Sequence, residues 1–176
     1  LYESVFGMME SLVPEYDAFG YVREPAGSAL PGITPSNSYL CKDGAYVLIA
    51  GNGDSIYKRL MNLIGRQDLA EDPRFAHNDG RAQHAALIDA AIGEWTIKHS
   101  RAEVIEALKE AHVPAGYPYT AADIVKDPHY LARQMIEQVQ TFAGPLKVPG
   151  ILPKLSRTPG RIGTGGPRLG EHTGDV

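Results

Sequence analysis

Apolar residues recur along this chain with two different periods, and the changes between them mark out its segments. Leu1, Val5, Met8 and Leu12 stand at i, i+4, i+7 and i+11, the stripe of one helical face. From Tyr16 to Pro35 the chain carries Gly20, Pro25, Gly27, Pro31, Gly32 and Pro35, which predicts a long loop. Ser38–Cys41 and Ala45–Ala50 are short β-prone runs joined by Lys42-Asp43-Gly44, and an Asp-Gly pair so placed predicts a β-hairpin. The helical period then returns with Ile56, Leu60, Leu63 and Ile64, N-capped by Asp54 or Ser55 and stopped by Gly65.

Gln67 to Phe75 reads as a polar turn broken by Pro73, and a long helix is predicted from Gly80 to His99 with Ile88, Ala91, Ile92 and Trp95 inward. Ser100-Arg101-Ala102-Glu103 is a capping box, opening a third helix that buries Val104, Ile105, Leu108 and Ala111 and stops near Val113-Pro114. Gly116 to Tyr119 extends as a strand. Thr120 and Asp123 repeat the capping signal for a short helix that ends before Asp127-Pro128. Beyond Gly144 five prolines, from Pro145 to Pro167, predict an extended tail. Helices with a separate hairpin give an α+β fold class.

Composition narrows the possible functions. The 176 residues are 43% hydrophobic and 22% charged, which is globular rather than disordered. A net charge of −4 leaves no basic surplus for nucleic acid. No run approaches the roughly 20 apolar residues of a membrane span. Cys41 is the sole cysteine, so no intrachain disulfide forms and a reducing, cytoplasmic setting fits. The start, Leu1-Tyr2-Glu3-Ser4, lacks an initiator Met and a signal peptide, so both ends are expected to be cuts from a longer protein.

Spacing alone yields no reaction. Gly160–Gly166 is glycine-rich, but Pro167 follows it where a phosphate loop needs a helix. Gly51-Asn52-Gly53-Asp54 either holds an anion at a helix N-terminus or is a turn capped by Asp54. The six histidines show no metal-binding spacing, and no metal is expected. His84 reads as a rim or satisfied core residue, Cys41 as a small core residue, and Trp95, Tyr117 and Tyr119 as packing. There is no Gly-x-Ser-x-Gly, and no carboxylate is marked as a nucleophile.

Taken in order, however, several phrases resemble the class III coenzyme A transferases, the group of formyl-CoA transferase and carnitine CoA-transferase. They are Leu1-Tyr2-Glu3-Ser4-Val5, Asp43-Gly44, Asp72-Pro73-Arg74-Phe75 with Asn78 and Arg81, Val113-Pro114-Ala115-Gly116, Asp127-Pro128, Val148-Pro149-Gly150 and Gly170-Glu171-His172-Thr173. Dicarboxylate-type acyl-CoA transferases are the subgroup it looks most similar to.

The resemblance implies that this is the C-terminal part of a larger parent. Residues 1–33 would be the last helix of a Rossmann-like large domain plus linker, 34–116 a small α+β domain, and 117–176 a linker and return segment. It implies an interlocked homodimer that needs the missing N-terminal half, with an acyl-CoA and a small carboxylate as substrates. No cofactor would be permanently bound, coenzyme A entering as the thioester substrate. In the family an aspartate attacks the thioester and passes through an aspartyl-CoA intermediate; that aspartate lies upstream, and none of the ten aspartates here matches its motif. This chain alone is therefore expected to be inactive. The stretch matching the family's glycine loop is Gly27-Ser28-Ala29-Leu30-Pro31-Gly32, with Ser28, Ala29 and Leu30 where glycines are expected. It either lines the acyl pocket or is an ordered linker touching no substrate. The alternatives to a transferase are an acyl-CoA racemase of the same architecture, and a non-catalytic subunit that completes a partner chain.

Overall fold

A computed structural model describes residues 2–9 and 11–175; Leu1, placed on the first apolar stripe, lies outside the described residues. The chain divides into two compact units, Leu1–Pro118 and Tyr119–Val176.

The first unit opens with two short helices, α1 (Tyr2–Phe6) and α2 (Leu12–Phe19), where the apolar stripe predicts one continuous helix and a loop after Tyr16. Turns at residues 7–9 interrupt it, and Val5, Phe6, Met8, Val13 and Phe19 are exposed. Arg23 and Ser11 hydrogen-bond Glu15, and the Arg23 guanidinium chiefly holds that carboxyl down at about 2.

The hairpin forms as expected. Strands β1 (Ser36–Leu40) and β2 (Tyr46–Ala50) pair antiparallel, Ser38 opposite Leu48, and β3 (Ala115–Gly116) adds antiparallel to the far side of β2. Burial along β2 alternates, with Val47 and Ile49 inward and Tyr46 and Leu48 outward, as a half-buried strand requires. Helix α3 (Asp54–Leu63) follows; its N-cap is Gly53 rather than the expected Asp54 or Ser55, because Asp54 lies inside the first turn with its carboxylate engaged by Arg81 and His77.

Two further expectations need correcting. The Gln67–Phe75 turn contains a helical turn, α4 (Gln67–Glu71), and a 3-10 turn at Pro73–Phe75 capped by the Asp72 carboxylate. The single helix expected over 80–99 is two, α5 (Asn78–Gln83) and α6 (Ala85–Thr96), broken at His84 with φ −122° and ψ 26°. Helix α7 (Arg101–Glu110) begins with both halves of the capping box in place.

Tyr39, Cys41, Val47 and Ile49 from the sheet meet Tyr57, Leu60 and Met61 of α3, Ile88 and Ile92 of α6, and Val104 and Leu108 of α7 in one core, completed by Leu69 and Phe75. Helices therefore cover one face of the sheet, while Leu40, Tyr46 and Leu48 stay exposed on the other.

In the second unit the capped Thr120 opens α8 (Ala121–Ile124), and Asp127 caps α9 (Pro128–Ala132). The tail expected beyond Gly144 instead starts as a strand: β4 (Ile136–Thr141) and β5 (Gly144–Pro149) form a second antiparallel hairpin. Pro145 and Pro149 are compatible with it because neither strand has a second neighbour among the described residues, and an edge strand tolerates missing N–H groups.

Candidate functional site

The segment 27–32 enters and leaves through glycines in the left-handed region, Gly27 at φ +64° and Gly32 at φ +78°, conformations that side-chain-bearing residues adopt only with strain. Between them the Leu30 N–H donates to Ser36 O at 3.0 Å, tying the loop to the start of β1. Asn78 clamps its far end from α5, donating from Nδ2 to Gly32 O (2.8 Å) and accepting from the Thr34 N–H (3.0 Å).

Beneath those anchors lies Arg81, fully buried, whose guanidinium is completely enclosed by acceptors. Nε donates to Thr34 O (3.1 Å), Nη1 to Phe75 O (2.9 Å) and Ala76 O (3.3 Å), and Nη2 to Asn52 O (2.6 Å) and the Asp54 carboxylate (2.8 Å). It also sits over the Tyr57 ring at 4.9 Å. One side chain thus joins the 27–35 loop, the turn before α3 and the turn before α5.

The loop and the sheet together wall a cavity of about 490 Å³, lined by Ser28, Leu30, Leu48, Ile49, Ala50 and Pro114–Gly116, with Ser36 and Asn37 at the β1 side. Its lining holds no ionisable side chain. At its polar edge Ser28 Oγ donates to Asn37 Oδ1 (2.8 Å) and accepts from Ser38 Oγ (2.6 Å). Asn37 Nδ2 in turn donates to Asp89 Oδ2 (3.0 Å), whose other oxygen accepts from Tyr39 OH at 2.6 Å. Burial, reinforced by Asp89, pushes the Tyr39 hydroxyl far up, so it stays protonated and donating.

Of the six loop residues singled out by sequence, Ser28 and Leu30 line the cavity. Ala29 is half-buried outside it, and Gly27, Pro31 and Gly32 shape the exposed turns. Sequence reasoning did not single out Asn37, Tyr39 or Asp89, which hold Ser28; a polar residue on an edge strand carries no signal until its helix partner is known.

The other candidates resolve as structure. In Gly51–Asp54 the helix N-terminus is occupied by its own Asp54, whose carboxyl is held below the ordinary range by hydrogen bonds from His77 and Arg81. His84 Nδ1 contacts Gly80 O at 2.9 Å, with its ring edge-on to Phe75. Cys41 is buried, which pushes its thiol up and away from thiolate chemistry. Hydrogen bonds likewise hold the carboxyls of Asp43, Asp72, Glu103 and Asp127 below their usual range, each in a turn or cap. Gly160–Gly166 runs extended rather than opening a helix. Among the described residues no three His, Cys, Asp or Glu side chains gather as a metal site, and no helix is long and apolar enough to cross a membrane.

The sequence profile of CoA-transferase family III matches residues 1–173. Over its whole length the chain is 40% identical to succinyl-CoA–D-citramalate CoA-transferase of Chloroflexus aurantiacus and 36% identical to the beta subunit of that organism's succinyl-CoA–L-malate CoA-transferase. It spans 44% of the length of each. A solved CaiB/BaiF family protein from Brucella suis superposes with a TM-score of 0.80 at 30% identity, over 96% of this chain and 43% of that one.

Proposed function

Because the chain belongs to CoA-transferase family III, we propose that it is the C-terminal part of an acyl-CoA:carboxylate CoA-transferase for small dicarboxylic acids. The observation that carries this reading is the end-to-end similarity to transferases whose names pair succinyl-CoA with citramalate or malate.

The reaction runs through an aspartate outside these residues. Its carboxylate attacks the thioester carbonyl and expels CoA thiolate, leaving a mixed anhydride. The thiolate then attacks the aspartyl carbonyl, releasing the donor acid and forming an aspartyl-CoA thioester. The acceptor carboxylate attacks that thioester in the same manner, and the returning thiolate carries CoA to the new acid and frees the aspartate. Each intermediate is open to hydrolysis, so the site must exclude water. The apolar wall of Leu30, Leu48, Ile49 and Pro114 supports that role once a bound acyl group covers it, and we assign the 27–32 loop to lie over that group. Coenzyme A takes part as the thioester substrate. The exposed Phe6, Met8, Val13 and Phe19 support a homodimeric whole protein in which this apolar surface is covered.

The test is transfer from succinyl-CoA to citramalate, malate, glutarate and oxalate by the full-length protein, with acyl-CoA products separated by mass. New dicarboxyl-CoA species are expected. Epimerisation of an acyl-CoA without transfer, or hydrolysis alone, would overturn the proposal.

A further inference from the structure

Asp89 sets the direction of every hydrogen bond at the polar edge of the cavity. A carboxylate accepts and does not donate, so Asn37 must turn Nδ2 toward it, at 3.0 Å. Asn37 Oδ1 then faces the other way, accepting from the Ser38 N–H (2.8 Å) and the Ser28 hydroxyl (2.8 Å). Ser28 has thereby committed its single hydrogen. The 2.6 Å contact with Ser38 Oγ must run from Ser38 to Ser28. A hydroxyl oxygen has two acceptor positions, and among the described residues only one of these is taken.

The loop therefore presents a fixed acceptor, with no proton to give, on a residue that lines a cavity whose nearby side chains Leu30, Leu48, Ile49, Ala50 and Pro114 are apolar. Such an arrangement favours a ligand bearing an O–H and disfavours a carboxylate at the same point, since two acceptors repel. A succinyl group has no hydroxyl; the acyl group of a hydroxydicarboxylate does. Ser28 and Leu30 are exposed in this chain, so the discrimination arises as a bound acyl group covers them; a donor that then loses its partner is penalised, and the hydroxyl counts for more than one methylene.

Resting on the transferase reading above, we propose that Ser28 is a specificity-determining residue that accepts a hydrogen bond from the hydroxyl of a hydroxydicarboxylate acyl group. Asn37 and Asp89 are positioning residues that orient it.

The experiment uses the full-length protein with succinyl-CoA as donor and two acceptors that differ only in the hydroxyl, citramalate and 2-methylsuccinate. Wild-type protein should prefer citramalate. Ser28→Ala should lower kcat/KM for citramalate about five- to tenfold while changing 2-methylsuccinate by less than about twofold. Ser28→Thr, which keeps the hydroxyl, should restore the preference. An unchanged acceptor ratio in Ser28→Ala, or an equal fall for both acceptors, would overturn the assignment of Ser28 and leave the transferase reading standing. Absence of transfer to either acceptor by wild-type protein would overturn both.

Discussion

Replacing Arg81 with methionine keeps a long side chain in the core and removes the guanidinium, leaving the carbonyls of Thr34, Asn52, Phe75 and Ala76 without their donor. A hydrogen bond from a charged donor contributes about 1.5–3 kcal/mol. Simple addition would overstate the loss, because one side chain makes all of these contacts and the loops can relax. Removing one partner from a buried charged cluster costs about 3–5 kcal/mol, and the half-exposed Asp54 adds little once solvent screens it. We expect about 4 kcal/mol, a large share of the roughly 5–15 kcal/mol that stabilises a domain. At 2–4 °C per kcal/mol that lowers the melting temperature by about 10 °C. Urea unfolding followed by the fluorescence of Trp95, the single tryptophan, measures it. Arg81→Lys, which keeps the charge but not the planar fork, should fall between the two. An Arg81→Met protein within about 1 kcal/mol of wild type would refute the view that this one residue ties the three turns together.

Three other outcomes follow from the same structure. At Gly80 an added Cβ would lie 1.8 Å from Arg74 O, so Gly80→Ala should destabilise by about 2 kcal/mol or more, read by the same unfolding curve. The carboxyls of Asp43, Asp54, Asp72, Glu103 and Asp127 are lowered in the folded state, so the stability they contribute is fully present above their ordinary values, 3.8 for aspartate, and is lost as pH falls through the lower folded ones. Melting temperature should therefore drop steeply below about pH 4, and Asp54→Asn should make that drop shallower. Cys41 should react with a thiol reagent only at the rate of unfolding, and rapid labelling of native protein would show that its burial is transient.

How much of this was legible beforehand depends on the range of the forces involved. The hairpin around Asp43-Gly44 and the start of α7 at Ser100 follow from local chemistry, and both were readable. The break at His84 has no glycine or proline to announce it; Gly80 packs against the Arg74 carbonyl and Arg81 against four others, contacts that span up to 47 positions. Arg81 itself reads in sequence as one more surface cation, and only its place in a family-like phrase marked it out. Pro145 and Pro149 argue against the β4–β5 hairpin, because sequence does not reveal that both strands are edges among the described residues. The loop at 27–32 came from resemblance rather than from physics. What physics adds is its attachment, through Ser28 and Asn37, to an aspartate on α6 that no motif contains.

The aspartyl intermediate is tested by incubating the full-length protein with succinyl-CoA, quenching it, and mapping the covalent adduct by peptide mass spectrometry. A CoA thioester or succinyl anhydride is expected on an aspartate outside this 176-residue sequence. An adduct on any of the ten aspartates within it, or transfer that proceeds with no aspartyl adduct at all, would contradict the proposed mechanism.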